Sequence, residues 1–63
     1  MSFGEKLKKL RGDRTLEQMA SEVGVTTSAW AMYEKNERTP RDEIKIRIAK
    51  FFGLTVQELF FDF

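Results

Sequence analysis

The stretch Thr15–Tyr33, TLEQMASEVGVTTSAWAMY, decides the fold of this 63-residue chain. Thr15 and Thr26 each supply a hydroxyl that can cap the free backbone N–H groups in the first turn of a helix. Gly24 tolerates the positive φ of a tight turn, and Ala20 is small enough for a second helix to cross closely. The stretch therefore predicts two helices held at a steep angle by a short turn.

The same capping pattern marks the rest of the chain. An acid or Gln three residues after a capping Ser or Thr returns a hydrogen bond to it, which forms a capping box. The segments that fit are Ser2–Glu5, Thr15–Gln18, Thr39–Asp42 and Thr55–Glu58, with Pro40 at a first helical position. We predict an all-α fold with helices at about 2–11, 16–23, 27–35, 40–52 and 56–61.

Apolar residues recur at helical spacing after each start and define the expected core. They are Phe3, Leu7, Leu10, Leu16, Met19, Ala20, Val23, Trp30, Tyr33, Ile44, Ile48, Phe51, Phe52, Val56, Leu59 and Phe60. A left-handed residue often closes a helix, and Gly12, Gly24, Asn36 and Gly53 follow four of the helices. No linker divides the chain, so we expect a single domain over residues 1–63.

The composition narrows the classes of function. The chain has no Cys and no His, which excludes disulfides and zinc sites built on those residues. There is no glycine-rich phosphate loop and no evident pair of catalytic carboxylates, so we predict no enzyme, no metal, no cofactor and no small-molecule ligand. Nothing resembles a signal peptide or a membrane span, so we expect a cytoplasmic protein without a membrane partner.

The net charge of +1 conceals an alternating distribution. Residues 1–14 carry five Lys or Arg against two acids, and residues 35–50 carry six against three. Residues 15–34 carry three acids and no base. Two basic clusters therefore flank an acidic middle, a pattern that fits either a polyanionic partner or ordinary solvated helix faces.

These features together resemble the Cro/repressor-type helix-turn-helix proteins of phages and bacteria, also called the xenobiotic-response-element family. The resemblance runs over roughly residues 5–61 and rests on Ala20 with Gly24, Tyr33-Glu34, Arg38–Pro40 and Ile48–Gly53. It implies a lambda-repressor-like domain in which helices two and three form the helix-turn-helix and helix three enters the major groove of double-stranded DNA. The expected function is a sequence-specific transcriptional regulator, a small repressor of phage or mobile-element type.

The resemblance also implies which side chains meet DNA once Trp30 and Tyr33 face inward. The base-facing residues are Thr27, Ser28, Ala31, Met32 and Lys35, and the phosphate-facing residues are Arg11, Arg14, Asn36, Arg38 and Arg41. The strong base readers Arg, Lys, Asn and Gln are absent from residues 27–32. Phosphate contacts are therefore expected to supply much of the affinity.

Several assignments have alternatives. Arg38 is equally suited to an ion pair with Glu34 or Glu37, and Arg41 to one with Asp42 or Glu43. Lys45, Arg47 and Lys50 are assigned to a solvated face of helix four. The chain departs from the family pattern at three places. Leu16 replaces a phosphate-contacting Gln, and Trp30 replaces Ile or Val, where its size is expected to tilt helix three or open the core. Lys35-Asn36 stands where the family often has Asn-Gly, and Asn can adopt the same backbone conformation.

The C-terminal segment Phe60–Phe63 carries three aromatic residues. We assign Phe60 to the core, whereas Phe61 and Phe63 either cover its edge or form a two-fold contact. A homodimer is expected. The rival functions are a protein-interaction module, such as the antitoxin of a toxin–antitoxin pair, and a structural role without DNA contact.

Overall fold

The computed structural model describes residues 2–61, and within them the chain forms five α-helices and no strand. They are α1 (Phe3–Arg11), α2 (Leu16–Val23), α3 (Thr27–Glu34), α4 (Asp42–Phe52) and α5 (Val56–Phe60). The predicted all-α fold is confirmed. None of the helices in this part of the chain is long and apolar enough to cross a membrane.

Side-chain caps fix the starts of four helices. Capping boxes form at Ser2 with Glu5, Thr15 with Gln18, and Thr55 with Glu58. Thr26 caps α3 by accepting a 3.0 Å hydrogen bond from the Ala29 N–H. The backbone N–H of Thr55 donates to the Glu58 carboxylate and lowers the pKa of that group below its ordinary value.

The predicted start of α4 is wrong. The helix begins at Asp42, and its N-cap is Arg41, which makes no side-chain capping hydrogen bond. Thr39 therefore caps no helix, and the buried Pro40 precedes α4 instead of opening it. The acids Asp42 and Glu43 in the first turn complement the positive end of the helix dipole, which compensates for the missing cap.

The other predicted ends differ by single residues. Ser2, Lys35 and Phe61 lie just outside α1, α3 and α5 as capping positions. Gly24, Asn36 and Gly53 adopt the expected positive φ, of 85°, 61° and 69° respectively. Gly12 also has a positive φ, but its ψ of −129° lies outside the left-handed helical region.

A single core joins the five helices. Its buried apolar residues are Leu7, Met19, Ala20, Val23, Ala29, Trp30, Tyr33, Ile44, Ile48, Ala49, Leu59 and Phe60. Trp30 is the largest of the fully buried side chains. The structure contradicts the assignment of Phe51 to the core, because α4 buries Ile48 and Ala49 and leaves Phe51 36% exposed.

The N-terminal end of α1 docks closely on the C-terminal end of α3, and Gly4 makes this approach possible. A Cβ at Gly4 would lie 2.3 Å from the carbonyl oxygen of Glu34. The Gly4 N–H donates to Asn36 Oδ1 at 2.9 Å, and Asn36 Nδ2 donates to Ser2 Oγ at 3.0 Å. The contact therefore combines a steric requirement for glycine with one hydrogen bond that the Asn36 side chain accepts and one that it donates.

The helix α5 closes the core against α1. The rings of Phe3 and Phe60 lie with centroids 4.5 Å apart, and Lys6 donates a hydrogen bond to the Glu58 carbonyl oxygen. Lys45 of α4 lies 5.3 Å from the centroid of the Phe60 ring. Phe60 is thus a core residue, as predicted.

Substitution of Gly4 by Ala separates two effects of opposite sign. Ala is about 1 kcal/mol more favourable than Gly in a helix by intrinsic propensity. The backbone clash with α3 is expected to outweigh this and lower the free energy of unfolding by roughly 1–3 kcal/mol. Urea unfolding followed by Trp30 fluorescence measures the change. Lys9→Ala, on the exposed side of α1, serves as the control and is expected to change stability little; a stabilised Gly4→Ala protein would contradict the described docking.

Candidate nucleic-acid interface

The helix pair α2 and α3 forms around the turn Gly24–Thr26. The carbonyl oxygen of Ala20 accepts hydrogen bonds from the N–H groups of both Gly24 and Val25, at 2.8 and 2.9 Å. Ala20 is itself only 1% exposed, so a small side chain lies where the motif requires one. The turn geometry predicted from Ala20 and Gly24 is present in the structure.

One face of α3 is buried and the opposite face is open. Ala29, Trp30 and Tyr33 lie in the core. The open face carries exposed Thr27, Ser28, Met32 and Lys35, with Ala31 half-buried. No acidic residue lies in the first turn of α3, so this face is small, weakly polar and free of negative charge there.

Two grooves border the open face of α3. Successive helical residues turn by about 100°, which places Ala29 and Tyr33 on one side of that face and Ala31 and Glu34 on the other. The "arginine groove", of about 470 Å³, runs along the first side and is lined in part by Arg38, Arg41 and Arg47. The "lysine groove", of about 240 Å³, runs along the second side and is lined by Lys8, Arg11, Leu16, Ala31, Glu34 and Lys35.

The arginine groove holds cations without acidic partners. Within residues 2–61, the ion pairs are Arg11 with Glu34 and Lys45 with Asp42, at 2.7 and 3.8 Å. The alternative pairing of Arg38 or Arg41 with a nearby acid is therefore wrong, because the ion pairs of the described residues join Glu34 to Arg11 and Asp42 to Lys45 and involve neither arginine. Arg38 and Arg41 are exposed and able to bind an external anion.

Arg11 has a different environment. Its Nε and Nη2 donate to the two carboxylate oxygens of Glu34 at 2.7 and 3.2 Å, and Nη1 donates to the Arg14 carbonyl oxygen at 2.7 Å. The hydrogen bonds that Arg11 donates to the Glu34 carboxylate raise the pKa of its guanidinium above the usual value. Arg11 thus joins α1 to α3 within the protein, and a phosphate contact would use only its remaining donors.

Trp30 shares the carboxylate of Glu34. Its indole Nε1 donates to Glu34 Oε2 at 2.6 Å, so the buried N–H has a partner. The ring is fully buried and packs edge-on against Tyr33 at a centroid distance of 6.1 Å. The expectation that Trp30 opens the core is wrong, because the core closes around the ring.

Two further predicted phosphate contacts also have partners within the chain. Asn36 binds the start of α1 through its amide, as described above. Arg14 lies 5.2 Å from the centroid of the Phe51 ring, and its Nη1 donates to the carbonyl oxygens of Leu10 and Arg11. The DNA-binding roles of Arg11, Arg14, Asn36, Arg38 and Arg41 remain predictions.

Lys8 and Arg47 line the grooves. No role was predicted for Lys8, whereas Arg47 is exposed, as its assignment to a solvated face predicted. The helical period could have indicated the position of Arg47. Residues three and four apart lie on the same side of a helix, and Arg47 follows buried Ile44 by three residues and Glu43 by four. The solvated-face assignment is wrong for Lys45, whose side chain is 22% exposed and lies over Phe60. Lys50 is exposed as predicted.

Comparison with known proteins agrees with this geometry. Residues 4–61 match the sequence profile of the family described as "Helix-turn-helix domain". The chain belongs to this helix-turn-helix family. The match spans all five helices apart from the first residue of α1, so the family resemblance inferred from Ala20, Gly24 and the later segments is confirmed.

Two curated relatives are regulators of transcription. The chain is 36% identical over 62 residues to the cryptic phage CTXphi transcriptional repressor RstR of Vibrio cholerae, covering 95% of this chain and 56% of that protein. It is 38% identical over 61 residues to the HTH-type transcriptional activator BcrR of Enterococcus faecalis, covering 94% and 30% respectively. The chain thus spans about half of one relative and under a third of the other. No solved structure shows significant similarity to it.

Replacing Glu34 by Gln tests the junction of α1 and α3. The variant keeps the shape of the side chain but removes the charge that Arg11 binds and weakens the acceptor of the Trp30 N–H. We expect the free energy of unfolding to fall by about 2 kcal/mol, since hydrogen bonds to charged groups contribute that much. Far-UV circular dichroism during urea unfolding measures it. Glu37→Gln removes the same charge at an exposed position and is expected to have little effect; equal losses in both variants would disprove the role of Glu34.

Proposed function

We propose that this chain is a sequence-specific DNA-binding transcriptional regulator in which α3 enters the major groove of double-stranded DNA. The observation that carries the proposal is the open face of α3 bordered on both sides by basic grooves. The major groove is wide enough for one helix and is bounded by two phosphate backbones. A helix that enters it turns one face toward the base edges and gains affinity from cations at both flanks, and α3 has this arrangement.

Base contacts would come from the open face of α3. Thr27 and Ser28 offer single hydrogen bonds to base edges, whereas Ala31 and Met32 offer apolar surface to thymine methyl groups. Lys35 lies at the C-terminal end of the same face. Because paired hydrogen bonds are missing at residues 27–32, discrimination per base pair is expected near the low end of roughly 1–3 kcal/mol.

Phosphate contacts would come from both grooves. Arg38 and Arg41 have no acidic partner in the described chain and supply charge on one side of α3. On the other side, Leu16 opens α2 and lines the lysine groove. The first N–H groups of a helix have no acceptor within it, so the start of α2 can donate to a phosphate even though Leu16 replaces a Gln.

The two relatives support regulation without deciding its direction, because one is named a repressor and the other an activator. The phage origin of the repressor favours a small repressor of phage or mobile-element type. The site as proposed binds and does not catalyse, and it would act in the cytoplasm, where the DNA lies. A toxin–antitoxin role and a purely structural role are the alternatives, and specific, salt-dependent DNA binding excludes the purely structural one.

We also propose that the protein acts as a homodimer. Phe61 is 65% exposed beside the buried Phe60, which leaves an apolar side chain available for a two-fold contact. Phe63 lies outside the described residues. A dimer would place two copies of α3 on half-sites about one helical turn apart. Sedimentation equilibrium should show two chains per DNA duplex, with weaker association in Phe61→Ser; a monomer on every duplex would refute the dimer.

The experiment that tests the function is a DNA titration at several salt concentrations. Fragments surrounding the gene of this protein are compared with random fragments of equal length between roughly 50 and 200 mM salt. We expect tighter binding to one fragment, and log affinity falling against log salt with a slope of about −0.9 per phosphate contact. A flat response, or equal binding to every fragment, contradicts the specific-regulator proposal.

Two variants then separate the contacts. Arg38→Ala is expected to weaken binding to all sequences alike and reduce the salt slope by about 1. Met32→Ala is expected to leave the slope unchanged and alter preference at one or two base pairs. Lys9→Ala, exposed and outside both grooves, is the control for loss of charge. If Met32→Ala leaves the sequence preference intact, Met32 does not face the bases.

A further inference from the structure

Arg47 reaches from α4 to the turn that precedes α3. Its Nη1 lies 3.1 Å from the position that a Cβ on Gly24 would occupy, so its guanidinium rests against the backbone of the turn. The side chain lines the arginine groove together with Arg38 and Arg41, which come from the connection between α3 and α4. The groove thus receives guanidinium groups from two separate parts of the chain.

The charges around this groove are unbalanced. Three arginines line it, and Glu43 is the one acid among its lining residues. None of the three arginines forms an ion pair with an acid within residues 2–61. Like charges gathered in one groove repel each other, and an anion bound between them removes that repulsion. The planar guanidinium fork matches the oxygens of a phosphate group, which makes phosphate the suited anion.

The groove also runs along one side of α3, because Ala29 and Tyr33 form part of its wall. When α3 lies in a major groove, this side faces one of the two phosphate backbones. A cation on α4 can then contact the strand at a point that neither helix of the helix-turn-helix pair reaches.

We propose that Arg47 is a phosphate ligand, the third guanidinium of the arginine groove, and that it binds a backbone phosphate of the DNA strand beside the Ala29–Tyr33 side of α3. The proposal rests on the proposed function and adds a contact from outside the helix-turn-helix pair. Since free phosphate presents the same chemistry, the experiment compares DNA with inorganic phosphate.

The test measures DNA affinity against salt for Arg47→Ala and for Lys50→Ala. Lys50 lies on the same helix, is exposed and lines neither groove, so its loss removes an equal charge. Arg47→Ala is expected to weaken binding to every fragment about 3- to 10-fold and reduce the salt slope by about 1. Lys50→Ala is expected to remain within about twofold of the parent protein at each salt concentration.

A second variant guards against a folding defect. Arg47→Gln keeps part of the aliphatic stem and a polar end but removes the charge, so it should lose affinity as Arg47→Ala does. Circular dichroism melts of both variants should match the parent, because Arg47 makes no ion pair in the described chain. Affinity and slope equal to those of Lys50→Ala in both variants would overturn the proposal, even if the parent protein binds DNA normally.

The remaining comparison is with inorganic phosphate. The protein is titrated with it at constant ionic strength, and binding is followed by NMR of the arginine side chains. We expect no saturable shift of the Arg47 signal, because a single free phosphate lacks the other contacts of a DNA strand. Saturable millimolar binding that disappears in Arg47→Gln would overturn the DNA assignment and make the groove a site for free anions. Absence of salt-dependent DNA binding by the parent protein would instead remove the proposed function, and this inference with it.

Discussion

The arrangement of the helices depends on the hydrogen bonds that the carboxylate of Glu34 accepts. It accepts hydrogen bonds from Arg11 of α1 and from the indole of Trp30, and so fixes α1 against α3 from inside the protein. The side chains of Arg11 and Glu34 are only 18% and 8% exposed, which limits the screening of their ion pair by water and salt. Asn36 and Gly4 complete the same junction one turn away. Because α3 is held from this side, its opposite face stays free and its angle is set before any ligand arrives.

Much of this fold follows from the sequence because its helices carry local signals. Three capping boxes and the cap at Thr26 needed only residues three apart, and the structure contains all of them. The start of α4 was missed because Thr39 and Pro40 imitate a capped helix, although the chain stays extended through Arg41. Ion pairs were harder to predict, since Arg11 and Glu34 lie far apart in the chain and only the docking of α1 on α3 brings them together. The position of Arg47 likewise depends on where α4 crosses the turn at Gly24.

The candidate site combines side chains that can discriminate bases only weakly with cations on either side that can bind phosphates. Its open face offers hydroxyls, a methyl group and a thioether, while the cations lie in the grooves on either side. Such a surface would owe most of its affinity for DNA to contacts with the phosphate backbone. Its sequence selectivity would depend on how well the local shape of the duplex fits the open face of α3. The family membership and the two regulatory relatives agree with this division between affinity and selectivity.

The open face of α3 has one further consequence, which concerns how such proteins diverge. In the described chain, the side chains of Thr27, Ser28, Met32 and Lys35 make no hydrogen bond or ion pair, so they contribute little to holding the helix in place. Trp30, Tyr33 and Glu34 carry that task from the other side. Mutation of these outer residues therefore removes no hydrogen bond or ion pair from the described fold. A lineage built on this scaffold can therefore change its binding preferences at the outer residues while the contacts of Trp30, Tyr33 and Glu34 stay in place.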